Sequence, residues 1–181
     1  MSDSLDIVYD IAPETAPQDR HILAVLVDNE FGVLNRVVGL FSARGYNIES
    51  LTVAEVETSK RLSRITIVTR GTGAKIRHIM ALLERMVPVH RVHDLTLEGP
   101  YIERELALVK VAGSGKPRVE SLRIADIFRA KPVDTSNESF VFEITGTTDK
   151  VNSFIDLMRP LGLVEICRTG VASVARGKKG I

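Results

Sequence analysis

The stretch Asp28-Asn29-Glu30-Phe31-Gly32-Val33-Leu34 holds residue types from which a small-anion site can be built. It joins a predicted strand to a predicted helix. Backbone N–H groups at a helix start lack intrahelical partners and lie at the positive end of the helix dipole. They therefore favour an anion such as an amino-acid carboxylate. Gly32 would let a ligand approach the backbone closely. Asn29 adds an amide with both donors and an acceptor. A second amide, Asn47, follows Gly45-Tyr46. The same residues also make an ordinary connecting turn, and residue type and spacing leave both readings open.

Other candidates carry less. Gly113-Ser114-Gly115-Lys116 looks like part of a phosphate loop, but that pattern needs Gly where Lys110 stands and Ser or Thr where Pro117 stands. It is read as a strand-to-helix turn, as is Gly71-Thr72-Gly73. His90 and His93 fall on one predicted strand at an odd spacing, so they point to opposite faces and cannot share a metal. His21 and His78 have no ligand partner nearby in sequence and are expected at a surface or an edge. Cys167 is the single cysteine, which excludes an intrachain disulfide and any multi-cysteine metal site. Beside apolar Ile166 it reads as a small buried side chain rather than a nucleophile. No Ser-His-Asp order and no pair of catalytic carboxylates emerges. The expectation is a chain with no catalytic residue, no metal site and no cofactor of its own.

The elements that would position these residues follow from periodicity. His21–Asn29 is apolar on both faces, the mark of a buried central strand. Leu34, Val37, Val38 and Phe41 have helical spacing up to Gly45. Residues 46–57 alternate, 58–61 turn, and 62–69 form a strand. Ile76, Ile79, Met80 and Leu83 make a second helical stripe, and 87–96 a fourth strand. The order is β-α-β-β-α-β. Glu98-Gly99-Pro100-Tyr101 links it to a second copy of that order. This copy has strands at 104–111, 132–135, 139–146 and 163–169, and helices at 119–128 and around Val151, Phe154, Ile155 and Met158. Two tandem ferredoxin-like α+β sandwiches are predicted, over 21–97 and 102–175. Residues 1–20 form an acidic tail expected to be disordered, and 176–181 a basic one. Such a sandwich leaves one sheet face and its edges open. With apolar residues on both faces of the strand through Leu23, Val25 and Val27, an oligomer is predicted.

Composition narrows the classes further. Among 181 residues, 24 Lys and Arg balance 23 Asp and Glu, for a net charge of +1. A dedicated polyanion binder needs a basic surplus. The 44% hydrophobic content suits packed cores. No apolar run reaches the ~18 residues of a membrane span, and Met1 to Arg20 lacks the basic start and apolar stretch of a secretory signal. A cytoplasmic chain that binds neither nucleic acid nor membrane is expected. An RNA-recognition module shares the element order, but its third strand carries aromatics, and 62–69 has none.

His21-Ile22-Leu23 through Asp28-Asn29-Glu30-Phe31-Gly32-Val33-Leu34-Asn35-Arg36-Val37 resembles the opening of an ACT domain. The continuation from Gly39-Leu40-Phe41-Ser42 through Gly45-Tyr46-Asn47-Ile48-Glu49-Ser50-Leu51-Thr52-Val53 is more specific. It resembles the regulatory small subunit of acetohydroxyacid synthase, also called acetolactate synthase. Leu62-Ser63-Arg64-Ile65-Thr66-Ile67, the run from Glu103 to Val111, and Arg168-Thr169-Gly170-Val171 fit the same family, so the likeness spans about residues 21–176.

The resemblance implies a non-catalytic chain. Its partner would be a separate catalytic large subunit that holds thiamine diphosphate, Mg²⁺ and FAD. That enzyme joins two pyruvates, or pyruvate and 2-ketobutyrate, with loss of CO₂. The small subunit would raise its activity and confer feedback inhibition by valine or another branched-chain amino acid. The resemblance also implies a homodimer through ACT domains with the effector between them. Asn29, Gly32, Val33 and Leu34 would come from one chain and Asn47 and Ile48 from its partner, with Val33, Leu34 and Ile48 enclosing the isopropyl group. Asn35 departs from relatives that carry Ser at that position. The ACT half is expected to make the main contact with the catalytic chain. A free-standing amino-acid sensor is the competing class, although such a sensor has no need of the second sandwich.

Overall fold

The computed structural model describes residues 18–178 and 180–181. Nearly all of the acidic tail therefore lies outside the described residues. The first sandwich runs β1 (Asp19–Asp28), α1 (Val33–Ser42), β2 (Ser50–Glu57), β3 (Leu62–Gly71), α2 (Gly73–Glu84) and β4 (Val89–Asp94). The second runs β5 (Tyr101–Ala112), α3 (Gly115–Phe128), β6 (Lys131–Thr135), β7 (Ser139–Gly146), α4 (Thr148–Met158) and β8 (Leu163–Arg168), followed by β9 (Ala172–Ala175). The strand orders are β2-β3-β1-β4 and β6-β7-β5-β8, the ferredoxin-like arrangement in both. All pairings are antiparallel. No helix among the described residues is long and apolar enough to cross a membrane.

Strand alternation divides β1 between two cores. Leu23, Val25 and Val27 face the helices and pack with Val33, Val37 and Phe41 of α1 and Ile76, Ile79 and Leu83 of α2. In the second sandwich Phe142 meets Phe154 edge-on at 6.2 Å, and Phe128 lies 5.5 Å from Phe154. Phe140 and Phe142 are buried there, so they offer no stacking surface to a nucleic acid.

The other face of the first sheet is not left to a second chain. Ile22, Ala24 and Val68 are covered by Val171, with Leu95, Tyr101 and Ile181 around them. Alternation alone predicts an open face here, and the chain's own C-terminal segment closes it. Val171 donates its N–H to Ser50 Oγ at 2.9 Å, and Thr52 Oγ1 donates to the Val171 carbonyl at 3.1 Å. Arg64 donates to the Ser173 carbonyl at 2.6 Å, and Arg20 pairs with Glu103 at 2.8 Å. Gly170 makes this approach possible. It has φ +83°, and a Cβ there would sit 2.7 Å from Ser50 Oγ. The strap continues as β9, which pairs with the opening of β5, Tyr101↔Ala175 to Arg104↔Ala172.

Several details depart from the sequence pattern. β1 opens at Asp19, so Asp19 and Arg20 belong to the sheet rather than the tail. β9 adds a strand beyond the two expected sets of four. His21 is buried against Asp94, not surface-exposed, with Nδ1 2.7 Å from Asp94 Oδ2 and Thr96 Oγ1 also donating to that carboxylate. It extends the inward row of Leu23, Val25 and Val27. Cys167 is exposed, because it stands opposite Leu108 on the uncovered face of the second sheet. Leu34 is displaced from the α1 core stripe by Val33, and Val87 lies before β4 in a solvent-exposed loop.

Candidate functional site

Two neighbouring segments fix the end of β1. Asp28 donates its N–H to the Pro88 carbonyl at 2.9 Å, and Asn29 donates to the Arg61 carbonyl at 2.6 Å. Arg61 closes the 3₁₀ turn Thr58–Lys60, where a hydrogen bond from Lys60 holds the Glu57 carboxyl below the ordinary carboxylate range. Chain direction then reverses through Gly32, whose φ of +82° favours a residue without Cβ. Gly32 is the N-cap of α1, and no side chain caps the helix start. No acidic residue occupies the first turn. A Cβ on Gly32 would meet nothing within 4 Å. The positive end of α1 is thus uncapped by side chains and open to approach, the electrostatic condition for a carboxylate.

Val33, Leu34, Asn47 and Ile48 differ in what they can offer a ligand. Val33 is 3% exposed and its side chain belongs to the core, so it can offer a ligand only its backbone; it cannot wall an isopropyl group. Leu34 is 41% exposed and can. Asn47 is exposed, while its carbonyl accepts from Thr69 Oγ1 at 2.6 Å. Ile48 is half-buried against the first core.

One chain does not bring these residues together. Asn29 and Gly32 precede α1, whereas Asn47 and Ile48 follow it. A helix of 10 residues separates its ends by about 15 Å at 1.5 Å per residue. The outer edge of the sheet on the α1-to-β2 crossover is β2, with no strand paired to its far side among the described residues and Val53 exposed. The α1/β2 side thus combines exposed apolar surface with an open strand edge.

The remaining chemistry is structural. His90 pairs with Asp28 at 2.7 Å and His93 with Glu98 at 2.6 Å. No group of three metal-ligating side chains occurs among the described residues. Arg168 pairs with Glu105 and donates to Asn152 Oδ1 at 2.8 Å. Both arginine and glutamate lie beside the junction of the two sandwiches, where a cavity of about 410 Å³ is lined by Arg20, Glu49, Ser50, Arg168 and Gly170 among others. Burial pushes the Arg64 guanidinium pKa down, and its bond to Ser173 partly replaces the lost water. Sequence reasoning does not single out Phe31, although the signal was present as a large aromatic inside a turn. Its side chain is fully exposed.

Comparison with known proteins agrees with this architecture. Residues 23–91 match the family model described as AHAS small subunit-like ACT domain, and residues 104–177 match that of the small subunit of acetolactate synthase. The chain is 46% identical over 163 residues to the acetolactate synthase small subunit of Haemophilus influenzae, covering 90% of this chain and 99% of that one. It is 44% identical over 161 residues to the isozyme 3 small subunit of Salmonella typhimurium, covering 88% and 98%. The crystal structure of the Thermotoga maritima small subunit superposes with a TM-score of 0.80 at 37% identity, covering 89% of this chain and 99% of that one.

Proposed function

The chain belongs to the acetolactate synthase small-subunit family, and on that footing we propose that it is the regulatory subunit that activates the catalytic chain and makes it sensitive to valine. The observation that carries the effector site is the separation of its halves. The uncapped start of α1 at Gly32 and the exposed amide of Asn47 lie at opposite ends of one helix. A two-fold axis that sets α1 and β2 of two copies side by side places Gly32 of one copy against Asn47 of its partner, twice per dimer. Backbone N–H groups after Gly32 take the carboxylate. Asn29 and Asn47 hold the polar end, and Leu34 and Ile48 enclose the branched side chain. Thiamine diphosphate, Mg²⁺ and FAD belong to the catalytic chain, where acetolactate is formed.

Magnitudes suit a metabolite sensor. Binding at ~0.1–1 mM needs about 4–5.5 kcal/mol, within reach of a few charge-assisted hydrogen bonds and one buried aliphatic side chain. One methylene discriminates by roughly 1–3 kcal/mol, so valine is preferred over isoleucine modestly. A coupling of about 1–3 kcal/mol shifts the partner's equilibrium by about 5- to 150-fold.

The test is pyruvate-to-acetolactate turnover by the cognate catalytic chain, with and without this protein, across a valine titration. Stimulation that valine removes is the expected result. Turnover that ignores the protein at every valine concentration would leave a free-standing sensor instead.

A further inference from the structure

We propose that the cavity between the two sandwiches is a binding site for a small carboxylate with a short aliphatic body, separate from the effector site. The proposal goes beyond the regulatory-subunit reading and does not rest on it. The cavity holds about 410 Å³, within the range of small-ligand sites. Both sandwiches wall it, with Arg20 and residues 49–51 from the first and Asn152 and Arg168 from the second. None of Asn29, Gly32, Val33, Leu34, Asn47 and Ile48 lines it, although residues 49–51 follow directly from Ile48.

Two arginines supply the recognition. Arg20 donates through Nη1 to Glu103 at 2.8 Å and through Nη2 to Thr148 Oγ1 at 3.4 Å. Arg168 donates through Nη1 to Asn152 Oδ1 at 2.8 Å and through Nε and Nη2 to Glu105. Those contacts hold each guanidinium in one orientation. A guanidinium carries five N–H donors, so each keeps donors unspent while lining the cavity. A carboxylate is a group that such a planar fork binds through two parallel hydrogen bonds. Glu49 also lines the cavity, but Arg70 engages its carboxylate at 2.6 Å.

The apolar lining selects the rest of the ligand. Leu51, Val68 and Val171 border the same cavity. An aliphatic body buries apolar surface against them, which inorganic phosphate has no means to do. Position gives the site its effect. The two arginines belong to different sandwiches, so an occupant touches both. Ser50 and Gly170, where the strap closes on the first sheet, line the cavity as well. A ligand bound only in this closed arrangement stabilises the join between the sandwiches.

The probe is isovalerate, titrated into the full chain without valine and followed by NMR of backbone amides and methyl groups. Saturable shifts are expected at Ser50, Val68, Gly170 and Val171, together with a rise in melting temperature. Two variants test the walls. Asn152→Phe fills the cavity from an exposed position on α4, and Arg168→Lys keeps a cation opposite Glu105 but loses the planar fork. Each should weaken isovalerate binding by at least about tenfold, the loss of one good hydrogen bond, with urea unfolding to confirm that it folds. Gly32→Asp, in the effector turn, should bind isovalerate as the unaltered chain does, and inorganic phosphate should bind more weakly than isovalerate. Absence of saturable shifts at tens of millimolar isovalerate overturns the site. Folded variants that bind it unchanged overturn the site too. Binding that Gly32→Asp abolishes overturns it by moving the probe to the effector turn. Phosphate that binds as tightly as isovalerate overturns the assigned ligand class.

Discussion

The two sandwiches share one topology and differ in what covers them. The first buries both faces of its sheet, one under α1 and α2 and the other under the Gly170–Ala175 strap. The second buries only its helix face, and Leu108 and Cys167 remain exposed on the other. Their strand-to-helix turns correspond as well. Gly32 and Gly115 both have positive φ with open space around them. Yet Gly32 is itself the cap of α1, whereas Ser114 takes that place before α3. The same chain order therefore yields one domain built around contacts to other parts of the chain and one that stands more nearly alone. Coverage, rather than topology, separates their roles.

The sharpest way to break the comparison is to remove a core from one side only. Phe142→Ala takes the centre from the second aromatic cluster and should cost about 3–5 kcal/mol. If the strap joins the two sandwiches into one cooperative unit, calorimetry will show the whole chain melting earlier in a single transition. Two separated transitions, with the first sandwich unmoved, would show the strap to be energetically slight.

The glycines give a smaller contrast. Gly170→Ala places a methyl 2.7 Å from Ser50 Oγ and 3.0 Å from Thr52 Cγ2 at φ +83°, and should cost about 2–3 kcal/mol in urea titration, strain and displacement together. Gly115→Ala, at φ +63° with nothing within 4 Å, should cost only the left-handed penalty of about 1–2 kcal/mol. Equal losses would remove the strap's close packing as the reason for Gly170.

Ligand binding separates the turns next. Gly32→Asp sets a carboxylate where the effector's belongs and should abolish valine inhibition while catalytic stimulation persists. Gly115→Asp should leave inhibition unchanged. Full valine sensitivity of the Gly32 variant would move the effector elsewhere. Asn47→Ala should weaken valine binding by about tenfold, the loss of one hydrogen bond at about 1–1.5 kcal/mol; unchanged calorimetric affinity would remove Asn47 from the site.

The smallest effect is expected on the uncovered sheet face. Lys110 donates to Glu165 at 2.9 Å and holds that carboxyl below its ordinary range, but the pair is solvated and contributes little. Lys110→Ala should leave the melting temperature at neutral pH nearly unchanged. A depressed carboxylate stabilises above its unfolded pKa and loses that contribution as pH falls. Any difference between variant and parent should therefore shrink on acidification. A gap that widens in acid would contradict this sign.

Both βαββαβ orders were legible because apolar periodicity reports which side chains face a core, and each sandwich has helices to face. What covers the opposite side was not, since that depends on residues far apart in the chain. Ile22 and Ala24 announce an apolar face without naming Val171 as its cover. β9 escapes because Ala172–Ala175 is short, and its partner is the opening of β5. His21 was within reach, as it continues the inward row of β1. Cys167 was not, because alternation on a strand assigns a face without saying whether that face is covered. At the candidate site, glycine and asparagine types point to the turn, but helix register decides that Val33 turns inward and Leu34 outward.

The strap also sets an order of events in synthesis. Ser50 and Val171 are 121 residues apart, so the first sandwich leaves the ribosome long before its cover exists. During that interval Ile22, Ala24 and Val68 form a bare apolar sheet face, the kind of surface on which nascent chains aggregate or recruit chaperones. Truncation before Gly170 would make that transient exposure permanent.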